Sequence, residues 1–193
     1  MRQIIKEDKF DSVVRKLVKD IISVVKYQKN GEFGLPEDLS SEEIFYKFPH
    51  LETEFSVFLD LQQDDNVDTV DVDGDYYPED ELIYITIKTN PFKKNQILHE
   101  LTGELNELIR HELEHIKQNE EGYEFPDETE DPELYYTQKH EIDAQRKGFM
   151  RRARKENRSY EDLVRTWFDK NKHKHKLEPH QIESVIKKIL ASK

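Results

Sequence analysis

Two kinds of hydrophobic periodicity divide this chain into helical and extended segments. Over Phe10–Lys29, apolar pairs recur every three or four residues, which predicts an amphipathic helix that begins at Asp11 or Ser12. Residues 31–41 are rich in turn-forming and polar types and predict a loop. A short helical turn is expected next, over Glu43–Lys47, because serines that can cap a helix precede it.

From residue 54 the hydrophobic period changes to two, which indicates strands. The three segments that alternate or are rich in β-branched residues are Phe55–Leu59, Val67–Val72 and Leu82–Thr89. Consecutive strands with short connections predict a small antiparallel meander of about three strands. We expect Leu82–Lys88 to form an edge strand that pairs with an extended peptide, and an interior position of this strand is the alternative.

Helical spacing returns after the last strand. The predicted helices cover residues 95–119, 134–154, 160–170 and 178–190. Helices that are segregated from a small antiparallel sheet give an α+β fold, and 193 residues suffice for one domain. Within that domain, residues 1–50 are expected to form an N-terminal helical part and residues 155–193 a basic C-terminal helical extension.

The first helix of this group carries the sequence HELEH at His111–His115, which is an HExxH motif. Histidines four residues apart project from one flank of a helix and can reach a single metal ion. Glu112 lies on the same side, where its carboxylate can take a proton from a water without binding the metal. Leucines at helical spacing over Leu98–Leu108 lead into the motif and predict that it lies beside the buried face. Incidental histidines on a charged helix, with no metal, are the alternative.

A catalytic zinc site needs a third protein ligand and an open position. Glu141 is the preferred candidate, because the intervening residues allow a second helix to return antiparallel and bring it back to the histidines. Ala144 lies one turn further on nearly the same face, where a small side chain permits close helix packing. Asp143, Glu133 and the cluster Glu128–Asp131 are competing carboxylates.

Together, the HExxH motif and the downstream Glu-x-x-Ala pattern resemble the metal-binding segments of gluzincin-type zinc metallopeptidases. The resemblance covers roughly residues 80–150 and extends, more loosely, to the small ImmA/IrrE-like subset. It implies a zincin-like fold and a peptidase in which His111, His115 and Glu141 bind Zn²⁺. In that pattern Glu112 is the general base.

Two features around the third ligand bear on the mechanism that the resemblance implies. Larger gluzincins often have an aspartate four residues after the ligand glutamate, where this chain has Gln145. A peptidase of this kind also needs a donor that stabilises the tetrahedral intermediate, and the candidates are Tyr135, Tyr136 and His140. On a regular helix both tyrosines point away from the ligand glutamate, so they could serve only if the helix begins after them.

Composition limits the size of the core, the types of metal ligand and the location that can be expected for this protein. Charged residues make up 37% of the chain and hydrophobic residues 35%, which predicts a small core. There is no cysteine, so a zinc ion would have to be held by histidine and carboxylate. No stretch approaches the roughly 20 apolar residues of a membrane span, and the N-terminal residues lack a signal-peptide apolar region. We therefore expect a cytoplasmic protein that has no membrane partner and acts on a peptide or protein substrate.

Charge is unevenly distributed along the chain. Residues 1–145 contain 15 Lys and Arg against 36 Asp and Glu, a net charge of −21, whereas residues 146–193 contain 15 against 6, a net charge of +9. This asymmetry suggests a function of another class, a non-catalytic zinc-stabilised interaction protein that recruits a partner through its basic C-terminal third. The alternative explanation is that the basic residues 146–193 pack against the acidic residues 1–145 of the same chain. No DNA- or RNA-binding motif accompanies the basic segment, so we expect no nucleic-acid partner.

Two further segments contain groups that could bind a cation. Asp71–Asp75 resembles the opening of a calcium loop but lacks the later ligands, so a hairpin turn is the preferred interpretation. Lys172–Lys176 alternates lysine with histidine. Because the lysines repel a cation, this segment is predicted to be an exposed linker.

Overall fold

A strand-rich first half is followed by a helical second half. The computed structural model describes residues 10–26, 41–47, 54–90, 93–126 and 129–192. Its elements are α1 (Asp11–Lys26), β1 (Ser41–Lys47), β2 (Glu54–Gln63), β3 (Val70–Tyr77), β4 (Leu82–Thr89), α2 (Lys94–Glu120), α3 (Pro132–Thr137), α4 (Lys139–Glu156), α5 (Tyr160–Lys170), α6 (Lys172–His175) and α7 (Pro179–Ala191). The predicted features that lie outside the described residues are the helix end at 27–29, the loop at 31–40 and Glu128. The predicted α+β class is confirmed.

The sheet is mixed, so the predicted antiparallel meander is wrong. Its strand order is β1-β2-β4-β3. β4 pairs in parallel with β2 on one side and antiparallel with β3 on the other. The predicted edge position of Leu82–Lys88 is therefore also wrong, because that strand is interior. Its buried residues Ile83, Ile85 and Ile87 favour the centre of the sheet, whereas the acidic strand β3 lies at one end, where its aspartates reach water.

Residues 41–47 form a strand and not the predicted helical turn. β1 pairs antiparallel with β2, with Phe45 opposite Ser56. The run Ile44–Tyr46 has high strand propensity, and hydrogen bonds to β2 outweigh the local helix-cap signal. The N-terminal part of the chain, residues 1–50, is therefore not wholly helical.

One hydrophobic core joins α1, strands β2 to β4 and α2. The contribution of α2 recurs at helical spacing and consists of Ile97, Leu101, Leu105, Ile109, Leu113 and Ile116. Leu98 and Leu108, which were expected on this face, are only half-buried. The core face is thus turned slightly from the predicted one, and the side of α2 that carries the histidines is left facing α4.

α4 runs antiparallel to α2, as predicted from the length of the connection. At one end Gln118 bonds to the backbone of His140, and at the other Glu104 pairs with Arg152. The helices approach most closely at Gly148, where an added Cβ would lie only 2.7 Å from the backbone oxygen of Glu107. A side chain at Gly148 would therefore push the two helices apart and displace every group that α4 presents to α2.

The helix predicted over 134–154 is divided into α3 and α4. Gln138 separates them in an extended conformation, with φ −62° and ψ 142°. Asp131 caps α3 by accepting hydrogen bonds from the backbone of Glu133 and Leu134, and Pro132 begins it. No glycine or proline marks the break itself, so local sequence gave no signal for it.

The C-terminal helices have a second hydrophobic core, which α4 extends through Phe149. Basic residues of α4 and α6 pair with acidic residues of the preceding part of the chain: Arg151 and Arg154 contact Asp11, at 2.5 and 3.1 Å, and Lys174 contacts Asp71 at 2.6 Å. These ion pairs support the interpretation that the basic segment packs against its own chain. Among the described residues, no helix is long and apolar enough to cross a membrane.

Candidate metal centre and adjoining cleft

Three side chains of the predicted ligand set meet between α2 and α4. The Nε2 atoms of His111 and His115 lie 3.0 Å apart. The Glu141 carboxylate lies 3.3 Å from His115 Nε2 and 3.5 Å from His111 Nε2. Glu112 is close but further away, with its Oε1 atom 3.8 Å from His111 Nε2. The structure therefore brings these four side chains together where α2 faces α4.

The separations fit a tetrahedral cation. Zinc bonds of about 2.0–2.1 Å put neighbouring ligand atoms about 3.3–3.4 Å apart in a tetrahedron. The distance from His115 Nε2 to Glu141 Oε1, 3.3 Å, and that from His111 Nε2 to Glu141 Oε2, 3.5 Å, are close to this edge, each for a different carboxylate oxygen, and the distance between the imidazoles is slightly shorter. Glu141 Oε2 is buried and receives no hydrogen bond from the described residues. Two imidazoles and a carboxylate are also the donor types that zinc accepts, so the residues present fit this metal.

Gln118 fixes the orientation of one imidazole. Its side-chain oxygen accepts a hydrogen bond from His115 Nδ1, at 2.9 Å, and its nitrogen donates to the His140 carbonyl, at 3.1 Å. Because Gln118 holds a proton on Nδ1, Nε2 is the nitrogen of His115 that can lose its proton and bind a metal. The sequence analysis missed Gln118, although its position three residues after His115 places it on the same side of the helix.

Burial and mutual charge perturb the titration of all four groups. Burial lowers the pKa of His111 to about 3, and the positive charge of His115 adds to this effect. Burial also acts against protonation of His115, but the hydrogen bond to Glu141 and the charge of Glu112 outweigh it and raise its pKa to about 9. The pKa of Glu112 is raised well above its usual range by burial. Burial acts to raise the pKa of Glu141, but hydrogen bonds from His115 and His140 outweigh it and lower the pKa.

The candidates for an oxyanion donor lie around this centre. Because α4 begins after the two tyrosines, both Tyr135 and Tyr136 line the same cleft as Glu141. Burial raises the pKa of Tyr135, and the charges of Glu141 and Glu112 raise it further. His140 is buried, with its Nε2 atom 3.4 Å from Glu141 and its Nδ1 atom 3.4 Å from the Tyr123 hydroxyl.

A cleft of about 240 Å³ extends from the metal-site residues along α2. One wall is the edge strand β3, from Val72 to Asp75, and not β4 as predicted. The opposite wall comes from α3 and α4. Lys174 closes part of the rim and donates a hydrogen bond to the Val72 carbonyl at 2.7 Å, at the outer edge of β3.

The competing carboxylates occupy other positions. Asp143 is half-buried on α4, and neither it nor Glu133 is among the residues that line the cleft. Asp131 caps α3 and is thereby engaged with backbone amides. The group of described residues that could together hold a metal ion is His111, Glu112 and His115, with Glu141 beside them.

The two other segments with cation-binding groups have different structures from those predicted. Asp71–Asp75 lies within β3, so it is neither a hairpin turn nor a calcium loop. Residues two apart in a strand are separated by roughly 6.6 Å, and their carboxylates do not converge on one ion. His175 is buried, not part of an exposed linker. Its Nε2 atom donates to the Phe168 carbonyl at 2.7 Å, and its Nδ1 atom accepts from the Leu177 amide at 3.0 Å.

Comparison with known proteins leaves the site geometry as the main guide to function. No protein-family model matches this chain, and no curated protein or solved structure matches it significantly.

Proposed function

We propose that this protein is a zinc-dependent peptidase with a zincin-like arrangement. The observation that carries the proposal is the convergence of two imidazoles from an HExxH helix with the Glu141 carboxylate, at separations that suit a tetrahedral metal. His111, His115 and Glu141 would bind Zn²⁺. All of these residues except His115 line the adjoining cleft of about 240 Å³, which the substrate would enter.

The residues of the chain have separate tasks in this reaction. When bound, zinc polarises a water molecule and the substrate carbonyl and lowers the pKa of that water towards about 7. Glu112 accepts the proton of the attacking water and delivers it to the leaving amine. Glu112 must be ionised to accept this proton, and a cation held by the two imidazoles would favour the ionised form against the effect of burial on its pKa. Tyr135 or Tyr136 at the cleft wall would donate a hydrogen bond to the oxyanion.

The exposed side of β3 would hold the substrate backbone. β3 is at the end of the sheet order and lines the cleft, so its outward backbone groups can pair with an extended peptide. Gly74 lies in the middle of this segment. A Cβ there would be 2.6 Å from the Tyr84 carbonyl and 3.1 Å from the Leu108 side chain, so the glycine lets β3 approach both β4 and α2.

Metal content and hydrolysis test the proposal together. Protein purified without chelator should contain one zinc per chain by elemental analysis, and it should cleave members of a peptide library. Removal of the metal with a chelator should abolish cleavage, and added zinc should restore it. Absence of stoichiometric zinc would contradict the metal site. Zinc without turnover on any library member would favour a zinc-stabilised binding protein.

Replacement of Gln118 by leucine tests the positioning of His115. The variant loses the acceptor for Nδ1–H, so the imidazole is no longer held in the tautomer and orientation that present Nε2. We expect zinc affinity to fall 10–100-fold, the usual effect of removing an outer partner of a metal-binding histidine. Competition with a chromophoric zinc chelator measures this change. Glu120→Gln, at an exposed position of the same helix, is the control. An equal loss of zinc affinity in both variants would contradict the role of Gln118.

A further inference from the structure

The cleft contains an acidic region separate from the metal-site residues. Charged side chains along the whole cleft are Asp73, Asp75, Glu104, Glu107, Glu112 and Glu141 on the acidic side and Lys174 on the basic side. Glu107 lies about one turn and Glu104 about two turns before His111 on α2. They form one end of the cleft together with Phe149 and Trp167.

The positive charge available to this region is shared among several carboxylates. Arg152 Nη1 lies 3.1 Å from Glu104 and 2.8 Å from Glu107, and Arg152 Nε lies 2.7 Å from Glu156. Glu104 has a second, longer contact with Lys170, at 3.5 Å. Glu107 thus shares its cation with two other carboxylates, and it is almost fully buried. Burial raises the pKa of Glu107 and the charge of Arg152 lowers it, so a further cation brought by a ligand would favour the ionised form of this carboxyl group.

A separate observation also points to a missing donor. Gln145 lines the same cleft from α4 and is about nine-tenths buried. Its side-chain oxygen is closed off from solvent and accepts no hydrogen bond from the described residues. Buried acceptors are normally paired, so this oxygen suits a donor that a ligand brings. Gln145 occupies the place between the ligand glutamate and the acidic end of the cleft.

We propose that this end of the cleft binds the side chain of a lysine or arginine in the peptide substrate. Glu104 and Glu107 would supply the opposite charge, Gln145 would accept a hydrogen bond, and Phe149 and Trp167 would contact the aliphatic stem. The assignment rests on the proposed peptidase function and names its substrate class. It follows that cleavage occurs next to, or within a few residues of, a basic residue.

Binding to the full-length Glu112→Gln variant tests the pocket without relying on turnover. The probes are two blocked alanine pentapeptides, one with arginine at the centre and the other with citrulline, its neutral isostere. Trp167 is the only tryptophan of the chain and lines the cleft, so its fluorescence reports occupancy directly. We expect a saturable change with the arginine peptide and a Kd at least about tenfold higher for the citrulline peptide.

Variants in the pocket separate charge from hydrogen bonding. Glu107→Gln, added to the Glu112→Gln variant, should remove most of the difference in Kd between the arginine and citrulline peptides. The substitution removes the carboxylate charge of Glu107 but keeps the shape of its side chain. Gln145→Leu should weaken both peptides about equally, since citrulline also donates hydrogen bonds. Glu183→Gln, an exposed residue of α7, is the matched control and should change neither. Should Glu107→Gln fail to fold, Glu104→Gln takes its place.

The outcomes distinguish this proposal from the proposed function. Equal Kd values for the two peptides, or discrimination that survives both glutamate substitutions, would overturn the basic-residue pocket even if the protein cleaves peptides. The protein could instead prefer the arginine peptide in a way that depends on Glu107, and yet contain no zinc and cleave no peptide. That result would overturn the proposed peptidase function and the substrate class, but the pocket for a basic side chain would stand. Peptide-library cleavage concentrated near lysine and arginine supports both.

Discussion

Replacement of Glu112 by glutamine should leave zinc bound and lower kcat by at least about 10²-fold. Glu112 lies 3.8 Å from His111 Nε2, outside the closer set formed by the imidazoles and Glu141. The amide has nearly the same shape as the carboxyl group but cannot accept the proton of the attacking water. General-base catalysis contributes typically 10²–10⁴-fold, which sets the expected loss.

Two measurements on the same preparation check this expectation. Elemental analysis should give the same zinc content as the parent protein, and the rate on a cleaved library peptide should fall while KM changes little. Glu120→Gln, near the exposed end of α2, is the matched control and should retain full activity. Loss of zinc from the Glu112 variant would show that this residue is a ligand, and an unchanged kcat would show that another group is the base.

The local pattern was sufficient to predict the ends of most helices and the candidate ligands. The helix with the HExxH motif was predicted over 95–119 and is observed over Lys94–Glu120, and the predicted strand Leu82–Thr89 is observed with those bounds. Both have strong periodicity that tertiary contacts reinforce. The meeting of Glu141 with the histidines could be anticipated because the residues between His115 and Glu141 suffice to end one helix, form a loop and return antiparallel.

Strand pairing was the main property that local pattern could not determine. Adjacent strands usually pair, and this rule predicted the meander. The apolar strand β4 instead takes the centre, between β2 and β3, because it buries Ile83, Ile85 and Ile87. This order makes the acidic strand β3 the wall of the cleft. The substrate-facing strand was therefore misassigned, since its position depends on the whole sheet and not on its own sequence.

The break at Gln138 had similar consequences for the candidate site. Local sequence favoured one helix from Leu134, on which Tyr135 and Tyr136 would point away from Glu141. In the structure α4 begins after them, and both tyrosines line the cleft. The break between α3 and α4 is stabilised by the packing of α3 against α4 and α7. No glycine or proline at the break indicates it in the sequence. Buried partners such as Gln118 were missed for a related reason, because their role depends on contacts between helices.

The assignment of the third ligand is tested by replacing two carboxylates on α4, Glu141 and Asp143, each with alanine in a separate variant. Glu141→Ala should lower zinc affinity by more than the 10–100-fold that loss of an outer partner costs, because it removes a bond to the metal itself. Its carboxylate lies 3.3 Å from His115 Nε2 and 3.5 Å from His111 Nε2. Peptide cleavage should be lost along with the zinc.

Asp143→Ala is the matched control, because it removes a carboxylate from the same helix two residues away. Asp143 is half-buried and does not line the cleft, so zinc affinity and cleavage should be retained. Chelator competition gives the affinity of each variant, and thermal unfolding with and without zinc reports the same loss as a smaller rise in Tm. If Asp143→Ala loses zinc and Glu141→Ala keeps it, the ligand assignment is wrong although the histidine pair stands. If both variants keep tight binding, the metal is held without a carboxylate from α4.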